Sequence, residues 1–266
     1  MINKTLYLRE MKKSLKMLLI FAMILTMYVA IIISMYDPKM METLDNFYEI
    51  MPEIMSAVGM TAGANSLLGF MISYLYGFIL LVFPMVFAIL RGNGLISKYT
   101  DSGAMAVLVA SPVKRKSIVI TQLSVLVSGV LLLIGYATGL ELVVANMQFP
   151  GELVTDELLK LNSGLLALQL FIAGICFLSS CLFSETKYSI AFGAGIPALM
   201  YILQMLANVG EKAEKIKYLT FFTLFDANGI IAGEGGAFTG IILLLIGAVA
   251  LFITSVFVFD KKDLCL

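Results

Sequence analysis

Long apolar runs separated by short polar intervals dominate this chain, and the lengths of those runs set its class. A helix needs about 20 apolar residues to cross about 30 Å of hydrocarbon. Six runs qualify: residues 17–35, 66–90, 118–147, 165–183, 189–209 and 238–259. The first is too long for a signal peptide and lacks a small-residue cleavage site, so it reads as a retained helix. The third exceeds a perpendicular crossing and predicts tilt or projection beyond the bilayer.

Shorter periodic stretches lie between the runs. Over residues 40–58, "MMETLDNFYEIMPEIMSAV", a helical wheel puts Glu42, Asp45, Glu49 and Glu53 on one side. Met40, Leu44, Phe47, Met51, Met55 and Val58 fall on the other, which predicts an interfacial helix divided or kinked at Pro52. Residues 1–16, with Leu8, Met11 and Leu15 on one face and cations elsewhere, predict a second amphipathic helix on an anionic leaflet. The stretch Gly210 to Ala237 holds apolar patches too short to span, such as Tyr218 to Phe225, broken by Asn-Gly and Gly-Gly turn signals. It predicts short outer-leaflet helices, or a re-entrant pair, packed against the bundle. The expected fold is therefore all-α and polytopic. The expected organisation is an N-terminal amphipathic cytoplasmic interfacial helix (1–16) followed by a single six-helix transmembrane domain (17–266).

Composition agrees. With 60% hydrophobic and 14% charged residues, the chain has too little polar surface for a soluble globule. Net charge is zero, which gives no reason to expect nucleic acid, so the arrangement of charge is what informs. If both termini share one side, that side carries thirteen Lys and Arg residues and the other only five. The positive-inside rule then places both termini of this multi-pass protein in the cytoplasm, and the resemblance described below implies the bacterial cytoplasmic membrane. The rule also disposes of the Asn3-Lys4-Thr5 sequon, which falls on the cytoplasmic side. Cys176, Cys181 and Cys265 are odd in number and read as small buried hydrophobes or free thiols.

Catalytic chemistry finds little footing. "GNGLISKY", Gly92 to Tyr99, lacks the second glycine and the Ser/Thr of a P-loop and follows a membrane helix, so the chain is not expected to bind ATP itself. "GEGGAFTG", Gly233 to Gly240, reads as a flexible hinge into the last span. There is no His, which removes zincin-type metal sites and imidazole-activated nucleophiles. No catalytic or metal-ligating residues are assigned. Glu141 is the one ionisable residue inside a span, near an end where it reaches toward the interface. Gln122, Gln169 and Gln204 read as glue between helices ahead of a polar path. Gly135 and Gly139, Gly193-Ala194-Gly195, Pro84 and Pro197 read as packing positions.

The loop 91–117 is different. Asp101 or Ser102 can cap a short apolar helix over Ala104 to Val109, which stops at Ser111-Pro112 before Lys114-Arg115-Lys116. A helix that short cannot bury its apolar face alone, so it needs a partner. With Asp101-Ser102-Gly103-Ala104, Val107-Leu108-Val109, Ser111-Pro112 and Lys114-Arg115, the loop resembles the coupling loop of ABC-2 type permeases, the membrane subunits of bacterial ABC exporters. The segments "KKSLKMLLIF", "MPEIMSAVG", "KYLTFFTLFD" and "FDKKDL" extend the resemblance over the chain. Ala104 stands where the family usually has threonine, and Ala106 where an acid is common.

The resemblance implies an ABC-2, type V exporter-like fold and a permease that is not itself an enzyme. Two copies of a cytoplasmic ABC ATPase, binding ATP and Mg, would dock on Asp101, Ser102, Gly103, Val107, Leu108, Ser111 and Pro112, with Lys114 and Arg115 at the phospholipid boundary. A second permease copy would complete the conduit, a homodimer ahead of a heterodimer. The second and fifth spans would line it, with Tyr74, Tyr76, Phe83, Met200 and Gln204 as lining candidates. An aromatic and Met-rich lining suits hydrophobic or amphipathic cargo such as antimicrobial peptides, toxins, antibiotics or lipids. The competing expectations are an ATP-independent carrier or channel and an outer-face immunity or sequestration protein.

Overall fold

The computed structural model describes residues 2–37, 50–57, 66–110, 113–209 and 211–262. Helices α1 (Lys4–Ser34) and α2 (Pro52–Ala57) precede a composite second span. That span runs as α3 (Leu67–Met71), a π-helical stretch (Ile72–Ile79) and α4 (Leu80–Leu95), followed by α5 (Ser97–Asp101) and α6 (Ala104–Ala110). Then come α7 (Arg115–Gln148), α8 (Thr155–Leu182) and α9 (Thr186–Asn208). Two 3₁₀ segments (Glu211–Leu219, Phe221–Leu224), α10 (Ala227–Ala232) and α11 (Gly235–Lys261) complete the chain. Six helices are long and apolar enough to cross a membrane, and no strand occurs among the described residues. This is a multi-pass membrane protein by architecture.

The N-terminal segment differs from expectation. Lys4–Ser34 is one unbroken 31-residue helix, about 46 Å long, so the helical part of residues 1–16 runs on into the first span without interruption. Asn3 caps it by accepting the Leu6 N–H at 3.0 Å. Its buried stripe is Glu10, Ser14, Leu18, Phe21, Leu25, Val29 and Ile33, steps of three and four that keep one face on the bundle. The stripe is polar for its first two positions and apolar afterwards. Most of the helix predicted over 40–58 lies outside the described residues.

α8 is the hub, packed against α11, α4, α9 and α7, while α1 leans on α7. Apolar faces of α9 and α11 stay outside the bundle, which is inexpensive where lipid replaces water. Close approach occurs where Gly92 of α4 meets α8: a Cβ there would lie 2.8 Å from the Cys176 Cβ. The GNGLISKY glycine is thus a packing position. A Cβ at Gly135 or Gly139 would meet nothing within 4 Å among the described residues, so neither marks a close approach between helices there.

The two intrahelical prolines are each compensated by a side chain of α8. Pro84 has no N–H for Leu80 O, and Gln169 donates to Leu80 O at 3.5 Å and Leu81 O at 2.9 Å. Pro197 similarly releases Gly193 O, which accepts the Cys176 thiol at 3.0 Å. Gln169 is glue, as its position suggested, and its removal has a measurable cost. Gln169→Leu is expected to destabilise the chain by about 1–3 kcal/mol. In the Pro84→Ala background that cost should shrink, since an alanine N–H can serve Leu80 O; unfolding of both pairs in detergent tests the coupling.

Candidate functional site

Two regions concentrate polar side chains: the end carrying the chain termini, and the opposite, far end.

At the terminal end, α1 is clamped to the end of the second span. Glu10, 1% exposed, holds Arg91 by Nη2 to Oε2 at 3.0 Å, and the same guanidinium nitrogen donates to Glu10 O at 3.0 Å. Lys13 Nζ lies 2.8 Å from Glu10 Oε1 and 2.8 Å from the Tyr99 hydroxyl, which donates to the same carboxylate. Asn3 N donates to Thr121 Oγ1 at 2.9 Å and Tyr7 to Ser128 Oγ at 2.9 Å, tying α1 to α7 as well. The step between α4 and α5 is held from α8: Ser180 Oγ accepts the N–H groups of Ile96 (3.2 Å) and Ser97 (2.9 Å). Asn93 Oδ1 accepts Ser189 Oγ at 2.9 Å and brings in α9.

The predicted coupling residues hang from this clamp. Gly103 takes φ +71°, the left-handed turn that separates α5 from α6 and suits glycine. Asp101 does not cap α6; its carboxylate accepts the Thr186 N–H at 3.3 Å, in the first turn of α9. Ser102 Oγ donates to Tyr99 O at 3.4 Å, so it too turns back on α5. Helix α6 matches the expected Ala104 to Val109 and extends one residue further. Met105 is fully buried and Leu108 half-buried against the core, whereas Val107 is 76% exposed. Ser111 and Pro112 lie outside the described residues. Lys114 precedes the first turn of α7 without a side-chain cap bond, and Arg115 donates to Lys262 O at 3.3 Å. Lys262 in turn donates to Cys181 O at 3.0 Å near the end of α8, and burial holds its ammonium below the ordinary lysine range. The loop, α9 and the C-terminus therefore form one connected surface.

Sequence reasoning missed the clamp's centre. Glu10 is the sole acid among the cations of residues 4–16 and stands three before Lys13, a signal that was there to use.

At the far end a cavity of about 530 Å³ opens between the π-helical stretch, α9 and the segment 217–228. Tyr76, Gly77, Tyr201, Gln204, Asn208 and Thr223 are among its walls. The π turn has i→i+5 bonding, seen where the Leu80 N–H reaches Leu75 O, and Gly77 O accepts the Tyr201 hydroxyl at 3.4 Å. Gln204 accepts Thr223 Oγ1 at 3.0 Å and donates to Asn208 at 3.3 Å. Of the lining candidates, Tyr76 and Gln204 border this cavity. Tyr74 stacks on Phe70 at 4.5 Å, Phe83 on Tyr28 at 5.6 Å, and Met200 lends its carbonyl to Thr220 Oγ1 at 3.1 Å. The walls are more polar than the expected apolar lining, with amides and hydroxyls beside the rings.

Segment 210–237 does supply short helices packed on the bundle, with Phe222 and Ile230 buried. The segment read as a hinge, Gly233 to Gly240, lies mostly within α11. Gly233 is a left-handed cap at φ +73°, and Gly235 already belongs to α11. Glu141, expected near the interface, is fully buried: Tyr76 donates to its Oε2 at 3.0 Å and Asn162 at 2.8 Å.

No family model, no curated protein and no solved structure matches this chain.

Proposed function

We propose that this chain is the permease subunit of an ATP-driven ABC exporter of the ABC-2 type. Two copies would form the conduit, and a separate ATPase would dock at the terminal end. One observation carries the reading: a seven-residue helix, α6, is fastened to the bundle by Met105 yet turns Val107 outward, in a loop bonded to three spans. Asp101 grips α9, Tyr99 grips α1, and α5 continues from the second span. A push on α6 would therefore reach the first, second and fifth spans together. Rigid coupling of that sort suits a part that receives force from outside the chain. ATP and Mg would be held by the partner, and this chain would do no chemistry.

For cargo, the far-end cavity favours amphipathic molecules over wholly apolar ones. Tyr76 and Tyr201 offer ring faces, and Gln204, Asn208 and Thr223 offer donors and acceptors. Peptides, toxins and antibiotics with one polar edge fit that chemistry. Orientation with both termini in the cytoplasm follows the distribution of basic residues.

A second reading, an ATP-independent carrier, is favoured by one feature: a buried carboxylic acid beside the cavity. Co-purification of an ABC ATPase with the detergent-solubilised chain separates the two, because a carrier has no use for one.

A further inference from the structure

Three helices meet at Glu141. The side chain comes from α7, Tyr76 from the π-helical stretch and Asn162 from α8, and both neighbours donate to Oε2. Glu141 Oε1 and Asn162 Oδ1 are buried and have no partner among the described residues. Both are acceptors, and each lacks a donor.

Among the described residues no cation pairs with Glu141, and Lys217 and Asp226 line the cavity that Tyr76 borders. On α7 the other charged residues are Arg115 and Lys116, at the opposite end of a 34-residue helix. On α8, Asp156, Glu157 and Lys160 lie toward the start; Lys160 pairs with Asp156 at 2.5 Å, both exposed to solvent. In the second span Tyr74 and Tyr76 are the titratable groups on the π-helical side, and Arg91 is committed to Glu10. α1 carries no charged residue between Lys16 and its end at Ser34, only Tyr28. α10 contributes none, and Asp226, which precedes it, caps Gly229 N at 3.0 Å. An ionised carboxylate that is buried and has no cation beside it among the described residues is strongly disfavoured. A neutral acid fits, since a proton on Oε1 supplies the missing donor.

Tyr76 is also a wall of the far-end cavity. It is the residue shared by the cavity wall and the carboxyl cluster, which its hydroxyl joins through Glu141 Oε2.

We propose that the Glu141 carboxyl is an intramembrane proton-binding site, occupied in this conformation, with Tyr76 as its gate to the far-end cavity. The proton sits on Oε1, the Tyr76 hydroxyl and the Asn162 amide hold Oε2, and exchange with the outside medium runs past the Tyr76 ring. The inference uses the cavity and the helix arrangement, and does not depend on the ATPase partner. Its test needs only the permease, so its failure would leave the exporter reading intact.

Infrared spectroscopy of the purified, detergent-solubilised full chain at neutral pH reads the site directly. Wild type minus Glu141→Gln should show the carbonyl stretch of one protonated carboxylic acid. Tyr76→Phe should shift that band, because one hydrogen bond to it is lost. Tyr76→Ala should speed its deuterium exchange in D₂O. The proposal is overturned if the difference spectrum contains only carboxylate bands. If Glu141→Gln fails to fold, Tyr76→Phe alone decides: a protonated-acid band that moves supports the site, and no such movement refutes it. A shifted band whose exchange is unchanged in Tyr76→Ala would overturn the gate.

Discussion

Glu10→Ala should lower the unfolding free energy of the detergent-solubilised chain by about 3 kcal/mol, the lower part of the range for breaking a buried ion pair. The carboxylate is 1% exposed, so its removal leaves the Arg91 guanidinium facing a void beside Tyr99 and Lys13. Arg91 has little to fall back on. Its Nε is already buried without a partner among the described residues, and its side chain is only 12% exposed. That slight exposure is the reason to expect the lower end. Lys13 matters less, being half in solvent, where an ion pair contributes little. Glu10→Ala combined with Arg91→Met should recover part of the loss, because no buried charge then remains uncompensated. Chemical or thermal unfolding of the four proteins closes the cycle. Additive losses would mean that the pair is incidental to the clamp.

Gly240→Leu should be nearly as costly, about 1–3 kcal/mol, for a steric reason. Gly240 of α11 lies directly under the backbone of Leu224, and a Cβ there would run into the Leu224 carbonyl oxygen, which has no flexible end to swing away. The substitution would lift the segment that carries Thr223 away from the bundle and so disturb the far-end cavity as well. Gly195→Leu on α9 is the control. Nothing lies within 4 Å of a Cβ at that position, so stability should be unchanged. Equal melting temperatures for both variants would show that α11 and the 3₁₀ segment do not meet as described.

Period and length made most of the helical plan legible. Runs of apolar residues mark the six long helices, and the short helix at Ala104 follows from a local apolar run between Gly103 and Pro112. Ends of helices were less visible. α8 begins at Thr155, ten residues before its apolar run, because Glu157 and Lys160 are good helix formers and the acids Asp156 and Glu157 suit the positive end of the helix dipole in the first turn. The π-helical stretch left no mark, since its i→i+5 bonding does not change the apolar run that contains it. Polar pairings across helices were also hidden. Glu141, Tyr76 and Asn162 are far apart in sequence, and hydropathy records only that each is polar. Likewise Asp101 looked like a cap for the helix that follows it, but tertiary packing gave it Thr186 instead. Gly135 and Gly139 illustrate the converse: the spacing says that close approach is possible, and no neighbour among the described residues comes within 4 Å of a Cβ at either.

Co-purification with an ABC ATPase tests the central claim most directly. The informative variant is Val107→Glu with Ala110→Glu, because both positions are on the outward side of α6 and their replacement leaves Met105 seated in the bundle. The account predicts that the wild-type chain retains a stoichiometric ATPase through detergent extraction, and that the double variant, with unchanged melting temperature, loses it. An ATPase held equally by both, or by neither, would contradict it.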